Sequence, residues 1–194
     1  MKKLVIAAIA LASPFAVLAA DMSTDAQIAE AVSPLPESMR ADATVVTFDA
    51  KGAVQTLRQG TNGVVCQPNQ PKPTPDFSAS CYSQALAPQR EMEAKLRAEG
   101  KDAKAVSAAV QAAKDAGTLK NPPLGTMMYG RSGKTADATR VTWVMLMPNM
   151  KAEDLGLPVK AGKGTPWMMN SGKPGAHIMM PQPSMSPAPA QPAM

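Results

Sequence analysis

The chain has 194 residues, a formal net charge of +5, 45% hydrophobic and only 4% aromatic side chains, and two cysteines. That length is enough for a sizeable core, and so mild a basic excess selects no class of partner. No run of lysine or arginine is interleaved with aromatic residues, which leaves nucleic-acid binding without support.

Residues 1–20 read as an export signal. Lys2 and Lys3 make a positive start, residues 4–18 are apolar apart from Ser13 and Pro14, and Ala19 and Ala20 offer small residues for cleavage after either. An uncleaved anchor is the competing reading, but the stretch is short for a span and Pro14 breaks it. The expected destination is periplasmic or secreted. No later segment is long and apolar enough to cross a bilayer, so the mature chain is expected to have no transmembrane segment. Removing the signal takes Lys2 and Lys3 and no acid, leaving 18 basic against 15 acidic side chains and a charge of +3.

Residues 21–40 are expected to form an N-terminal segment with a short helix over 26–32, capped by Ser23, Thr24 or Asp25 and loosely attached because its apolar content is low. Residues 43–48 are rich in β-branched side chains and predict a strand. A turn at Asp49 to Gly52 returns the chain as a second strand over 53–59, and a turn at 60–63 leads into a third at Val64, Val65 and Cys66, giving an antiparallel meander. Residues 68–80, with Pro68, Pro71, Pro73 and Pro75, read as an extended loop. Cys66 and Cys81 flank it. An even cysteine count in an oxidising compartment predicts a disulfide closing that loop; a reactive or metal-binding thiol pair is disfavoured because there is no Cys-x-x-Cys and no nearby histidine.

About 88–117 is a helical-hairpin insert. Pro88 suits a first turn, Glu91 with Lys95 and Glu93 with Arg97 are spaced i,i+4, Gly100 ends one helix and Asp102 caps the next. Ala103, Val106, Val110 and Ala113 give the second helix a narrow apolar stripe. Strand structure resumes at Thr126. The run from Gly130 to Thr135 has the look of a phosphate-binding loop, but Met128 stands where the first glycine should be and no helix pattern follows, so it reads as a hairpin turn.

That turn leads into 140–150, the longest apolar run of the mature chain. Its period-2 alternation sends Val141, Trp143, Met145 and Met147 one way and Thr142, Val144 and Leu146 the other, predicting a central strand covered on both faces. One helical turn is expected over 151–157. Short strands at 167–169 and 176–180 complete a single α+β domain over 41–180, mostly antiparallel β-sheet. Residues 181–194 read as a disordered proline-rich tail.

Methionine is the compositional anomaly. Of 14 in the mature chain, 11 lie at or after Met127, while isoleucine occurs there only at Ile28 and Ile178. Thioethers suit soft monovalent ions, and an indole face attracts a cation. If the last strand lies beside the long apolar one, His177 and Met179 approach Met145 and Met147 next to Trp143, which is the expected metal set for Cu(I) or Ag(I). This row is similar to the site of small periplasmic copper chaperones, whose ligands are one His and two Met with a stacked Trp; the likeness covers only these residues. The alternative is that the methionines fill a core. With His177 the only histidine and no Gly-x-Ser-x-Gly, no catalytic residues are assigned and no organic cofactor is expected.

The run from Asp42 to Gly63, the cysteines around a proline-rich loop, and Gly175 to Pro181 together resemble an uncharacterised group of small exported bacterial proteins of unknown function. That resemblance implies export and a β-rich domain, and no activity. The expected function is that of a noncatalytic envelope protein binding another protein, a peptide or a cell-wall component, with soft-metal binding as the alternative.

Overall fold

The structure, a computed structural model, describes residues 22–69 and 76–183. The export signal expected at 1–20, Pro71, Pro73 and Pro75, and the tail beyond 183 lie outside the described residues. In chain order the elements are α1 (Thr24–Val32), α2 (Glu37–Arg40), β1 (Thr44–Phe48), β2 (Val54–Arg58), β3 (Val64–Gln67), β4 (Phe77–Ser83), α3 (Ala87–Ala98), α4 (Ala103–Asp115), β5 (Met127–Gly133), β6 (Thr139–Leu146), β7 (Trp167–Met169) and β8 (His177–Pro181). Single 3-10 turns at Gln84–Leu86 and Glu153–Leu155 precede α3 and follow β6. The eight strands form one sheet ordered β2-β1-β3-β4-β5-β6-β8-β7, antiparallel except where β3 runs parallel to β1. The class is therefore α+β, a mostly antiparallel sheet with a helical insert and one disulfide.

Local chemistry explains most of these elements. Ser23 caps α1 by accepting from the Ala26 N–H, and Asp102 caps α4 by accepting from the Ala105 N–H at 2.8 Å. Gly100, at φ 81°, ends the turn after α3. In the β1–β2 hairpin the Asp49 carboxylate accepts from the N–H groups of Lys51 and Ala53, at 2.8 and 2.9 Å, which closes the turn and holds that carboxyl below its ordinary pKa.

The first three strands are not a meander. After β2 the chain passes back to the start of β1, where the N–H groups of Thr61 and Asn62 both donate to Asp42 O, and β3 then lies on the other side of β1 in parallel. The proline-rich loop is also shorter than expected, because residues 77–80 belong to β4. That strand pairs with β3 over Ser80–Ser83 and with β5 over Phe77–Tyr82, and Phe77, Ala79, Cys81 and Tyr82 are buried. Apart from Phe77 and Tyr82 its side chains are small and its propensity is poor; pairing with its neighbours holds it in the sheet. By contrast β6 lies toward one side of the sheet, and of its residues only Val141 is buried, so β4 rather than β6 is the covered centre. The β5–β6 turn is later than expected: β5 continues to Gly133, opposite Thr139. At the far end, Pro181 still pairs with Thr142 and the Gln182 N–H donates to Val141 O at 2.9 Å, so the sheet extends past residue 180.

Two apolar clusters lie on opposite faces of the sheet. On one, α1 and the turn after it cover Val45, Val64, Cys66, Cys81 and Tyr129 with Ala31, Val32 and Leu35, so the N-terminal segment is packed into the core rather than loosely attached. On the other, Val46, Val65 and Tyr82 meet Leu86, with Met128 and Leu146 beside them. The Cys66–Cys81 disulfide joins directly opposed residues of β3 and β4, with Cα atoms 4.0 Å apart, inside the first cluster. No helix among the described residues is long and apolar enough to cross a membrane.

Candidate functional site

The last strand does lie beside the long apolar one: β8 pairs with β6 in antiparallel register. The register, however, divides the expected metal set. Directly opposed residues of paired strands share a face of the sheet. Trp143 is opposite Met180 and Met145 opposite Ile178, whereas His177 is opposite Leu146 and Met179 opposite Val144. Trp143 and Met145 therefore lie on the α1 side, and His177 and Met179 on the other. Met147 lies just beyond β6, its N–H donating to Ala176 O at 2.9 Å.

Trp143 has a packing role where it sits. Its indole Nε1–H donates to Pro34 O at 3.2 Å, and its ring meets Tyr129 edge-on at 5.7 Å between centroids. The Ser33–Pro34 turn is thereby tied to the sheet. No three His, Cys, Asp or Glu side chains among the described residues gather as a metal site.

The face that carries His177 also carries a cleft of about 140 Å³. Met128 and Leu146 of the sheet line it, Leu86 and Arg90 stand at the start of α3, Lys114 belongs to the last turn of α4, and Ala176 borders the far side. Its polar wall is ordered through Glu93, whose carboxylate accepts from Gln89 at 2.8 Å, Arg90 at 2.9 Å and Arg97 at 3.5 Å. Burial alone pushes the Glu93 carboxyl up, but the charge of Arg90 and the hydrogen bonds from Gln89 and Arg90, with help from Arg97, outweigh it and hold the group below its ordinary value. Burial lowers the Lys114 ammonium from its usual value against the opposing pull of Glu93.

Arg90 also lies over the Tyr82 ring, 5.4 Å from its centroid, and Gln67 donates to the Tyr82 hydroxyl at 2.8 Å. Burial pushes the Tyr82 phenol up to about 12 despite the nearby guanidinium. The arrangement offers an apolar floor and two cations, Arg90 and Lys114, on one wall. Sequence reasoning placed α3 and α4 but not this cleft, because its lining is brought together from the helices, the sheet and the β7–β8 connection.

Comparison with known proteins finds no matching family model, no matching curated protein and no matching solved structure.

Proposed function

We propose that the protein is an exported, noncatalytic binding module of the bacterial envelope, and that its cleft takes an apolar group ending in a carboxylate, as the C-terminus of a peptide or a cell-wall peptide does. The observation that carries this reading is the lining: Leu86, Met128 and Leu146 supply apolar surface while Arg90 and Lys114 supply positive charge at one wall. Size favours an anchor point over an enclosing pocket. A volume of about 140 Å³ is well below the roughly 300–1,000 Å³ of sites that enclose a whole small molecule, so the cleft suits one side chain and terminus of a longer partner. Export rests on the character of residues 1–20, and the binding chemistry rests on a charge-assisted contact to a carboxylate.

The test is an NMR titration of the mature, disulfide-bonded protein with short peptides that end in an apolar residue, as free acids and as C-terminal amides. The free acid is expected to shift the Met128 methyl and Leu146 amide signals. Amidation and Lys114→Met are each expected to weaken binding by about tenfold, the value of one charge-assisted contact. Equal binding of acid and amide, or shifts confined to other surfaces, would overturn the proposal.

A further inference from the structure

The β7–β8 hairpin gathers a donor set on the face opposite Trp143. Met169 is directly opposed to His177, and Trp167 to Met179. His177 and Met179 are two residues apart on β8, so all of these side chains share one face and stand at the corners of a rectangle. Opposed pairs in an antiparallel ladder have Cβ atoms about 4.5–5.5 Å apart, and diagonal neighbours about 7–8 Å, within reach of flexible thioethers. We propose that Met169, His177 and Met179, with the Trp167 ring against the ion, form a binding site for a soft monovalent cation, Cu(I) or Ag(I).

The histidine is prepared for such a role. Its Nδ1 lies 2.8 Å from Gly175 O, and because a carbonyl can only accept, the neutral ring carries its proton at Nδ1 and keeps the Nε2 lone pair for an ion. The same carbonyl accepts from Asn170 Nδ2 at 3.3 Å, tying the two ends of the β7–β8 connection together. That connection is fixed to the chain after β6 as well: the Gly172 N–H donates to Met150 O at 2.8 Å, the Asn149 N–H to Lys173 O at 2.9 Å, and the Ala152 N–H to Ser171 Oγ at 2.9 Å. A short edge hairpin held at so many points keeps its donors in place before an ion arrives.

The two thioethers are neutral and soft, and the β6 neighbours opposite His177 and Met179 are Leu146 and Val144, which add no competing charge. Two thioethers and an imidazole favour Cu(I) and Ag(I) over Ca²⁺ or Mg²⁺, which demand oxygen. An indole face beside the site adds a cation–π attraction. Burial separates this set from Met168, its neighbour on β7. Met168, on the other face of β7, is 1% exposed and fills space, whereas Met169, Met179, His177 and Trp167 are all half-buried, sheltered yet reachable. Cys66 and Cys81 are joined, so the described residues contain no free thiol to compete for a soft ion.

The site stands independently of the cleft reading and is tested on the mature, disulfide-bonded protein carrying ¹³C-methyl methionine. Ag(I) is titrated in, followed by Cu(I) under anaerobic conditions against a competing chelator. One ion per chain is expected, shifting the Met169 and Met179 methyl signals, leaving Met127 and Met145 in place and changing tryptophan fluorescence. Met169→Leu and Met179→Leu conserve side-chain volume and are each expected to weaken binding by about tenfold or more, while Met145→Leu leaves it unchanged. Trp167→Phe should retain binding but lose the fluorescence response. Binding that survives both Met169→Leu and Met179→Leu, shifts at Met145 instead, or no binding at protein-stoichiometric Ag(I) would each overturn the proposal.

Discussion

Glu93 and Tyr82 sit together beneath Arg90, and each ties stability to pH in the opposite direction. Glu93 is held ionised below its ordinary range, so its contribution is present above about pH 4.5, where the unfolded carboxyl titrates, and is lost as pH falls through the lower folded value. Tyr82 is held neutral with its pKa near 12, so its contribution is complete below about pH 10 and is lost as pH rises from there through 12. Urea midpoints followed by circular dichroism across pH 3–11.5 would read both limbs. Glu93→Gln is expected to cost about 1–3 kcal/mol at pH 7, since three charge-assisted bonds are weakened, and to flatten the acid limb. Tyr82→Phe should flatten the alkaline limb and leave the acid limb unchanged. An acid limb that persists in Glu93→Gln would show that other carboxylates dominate it.

Among the elements, the β1–β2 hairpin shows how much of the chain was legible. Its strands and its glycine turn follow from β-branched residues and from Asp49 and Gly52, and the insert helices follow from Pro88 in the first turn of α3, Gly100 after it and the Asp102 cap of α4. What the sequence did not reveal was the company each element keeps. Gly52, at φ 76°, lies against α3 so closely that a Cβ there would stand 2.7 Å from the backbone of Ala94 and Lys95. Gly52→Ala is therefore expected to cost about 2–4 kcal/mol, combining left-handed backbone strain with overlap against the helix backbone. Gly63→Ala, at φ 70° with nothing within 4 Å, should cost only about 1–2 kcal/mol from strain alone. Equal urea midpoints for the two variants would mean the hairpin does not dock on α3. The same distinction governs β4 and the donors. Serine, alanine and cysteine in β4 do not announce a strand, because its stability comes from β3 and β5. The strands β6 and β8 were legible from their alternation, but neither their adjacency nor their register was, and a shift of one residue exchanges the faces. That parity put His177 and Met179 with Trp167 and Met169 instead of Trp143 and Met145. A period-2 pattern was present in both strands of this last hairpin, Trp167-x-Met169 and His177-x-Met179, and could have suggested the pairing had it been read across the turn.

Across the whole molecule, the disulfide and the donor hairpin stand apart. Cys66–Cys81 lies under α1 between β3 and β4, while β7 and β8 end the sheet with β5 and β6 in between. Joining residues separated by 15 in sequence restricts the unfolded chain by about 3 kcal/mol in the chain-entropy view. It also lies in the cluster that binds α1 to the sheet, so its loss acts on the cover of that face as well as on the unfolded state. The double variant Cys66→Ala with Cys81→Ala, which leaves no thiol to capture metal, is expected to melt about 6–12 °C lower by circular dichroism. If the β7–β8 donors are organised by their own hairpin and its ties to the chain after β6, Ag(I) affinity measured well below the melting temperature should remain within about twofold of the parent protein, because the energy lost does not pass through those contacts. A fall in affinity that tracks the fall in melting temperature would mean the donor geometry depends on the whole sheet.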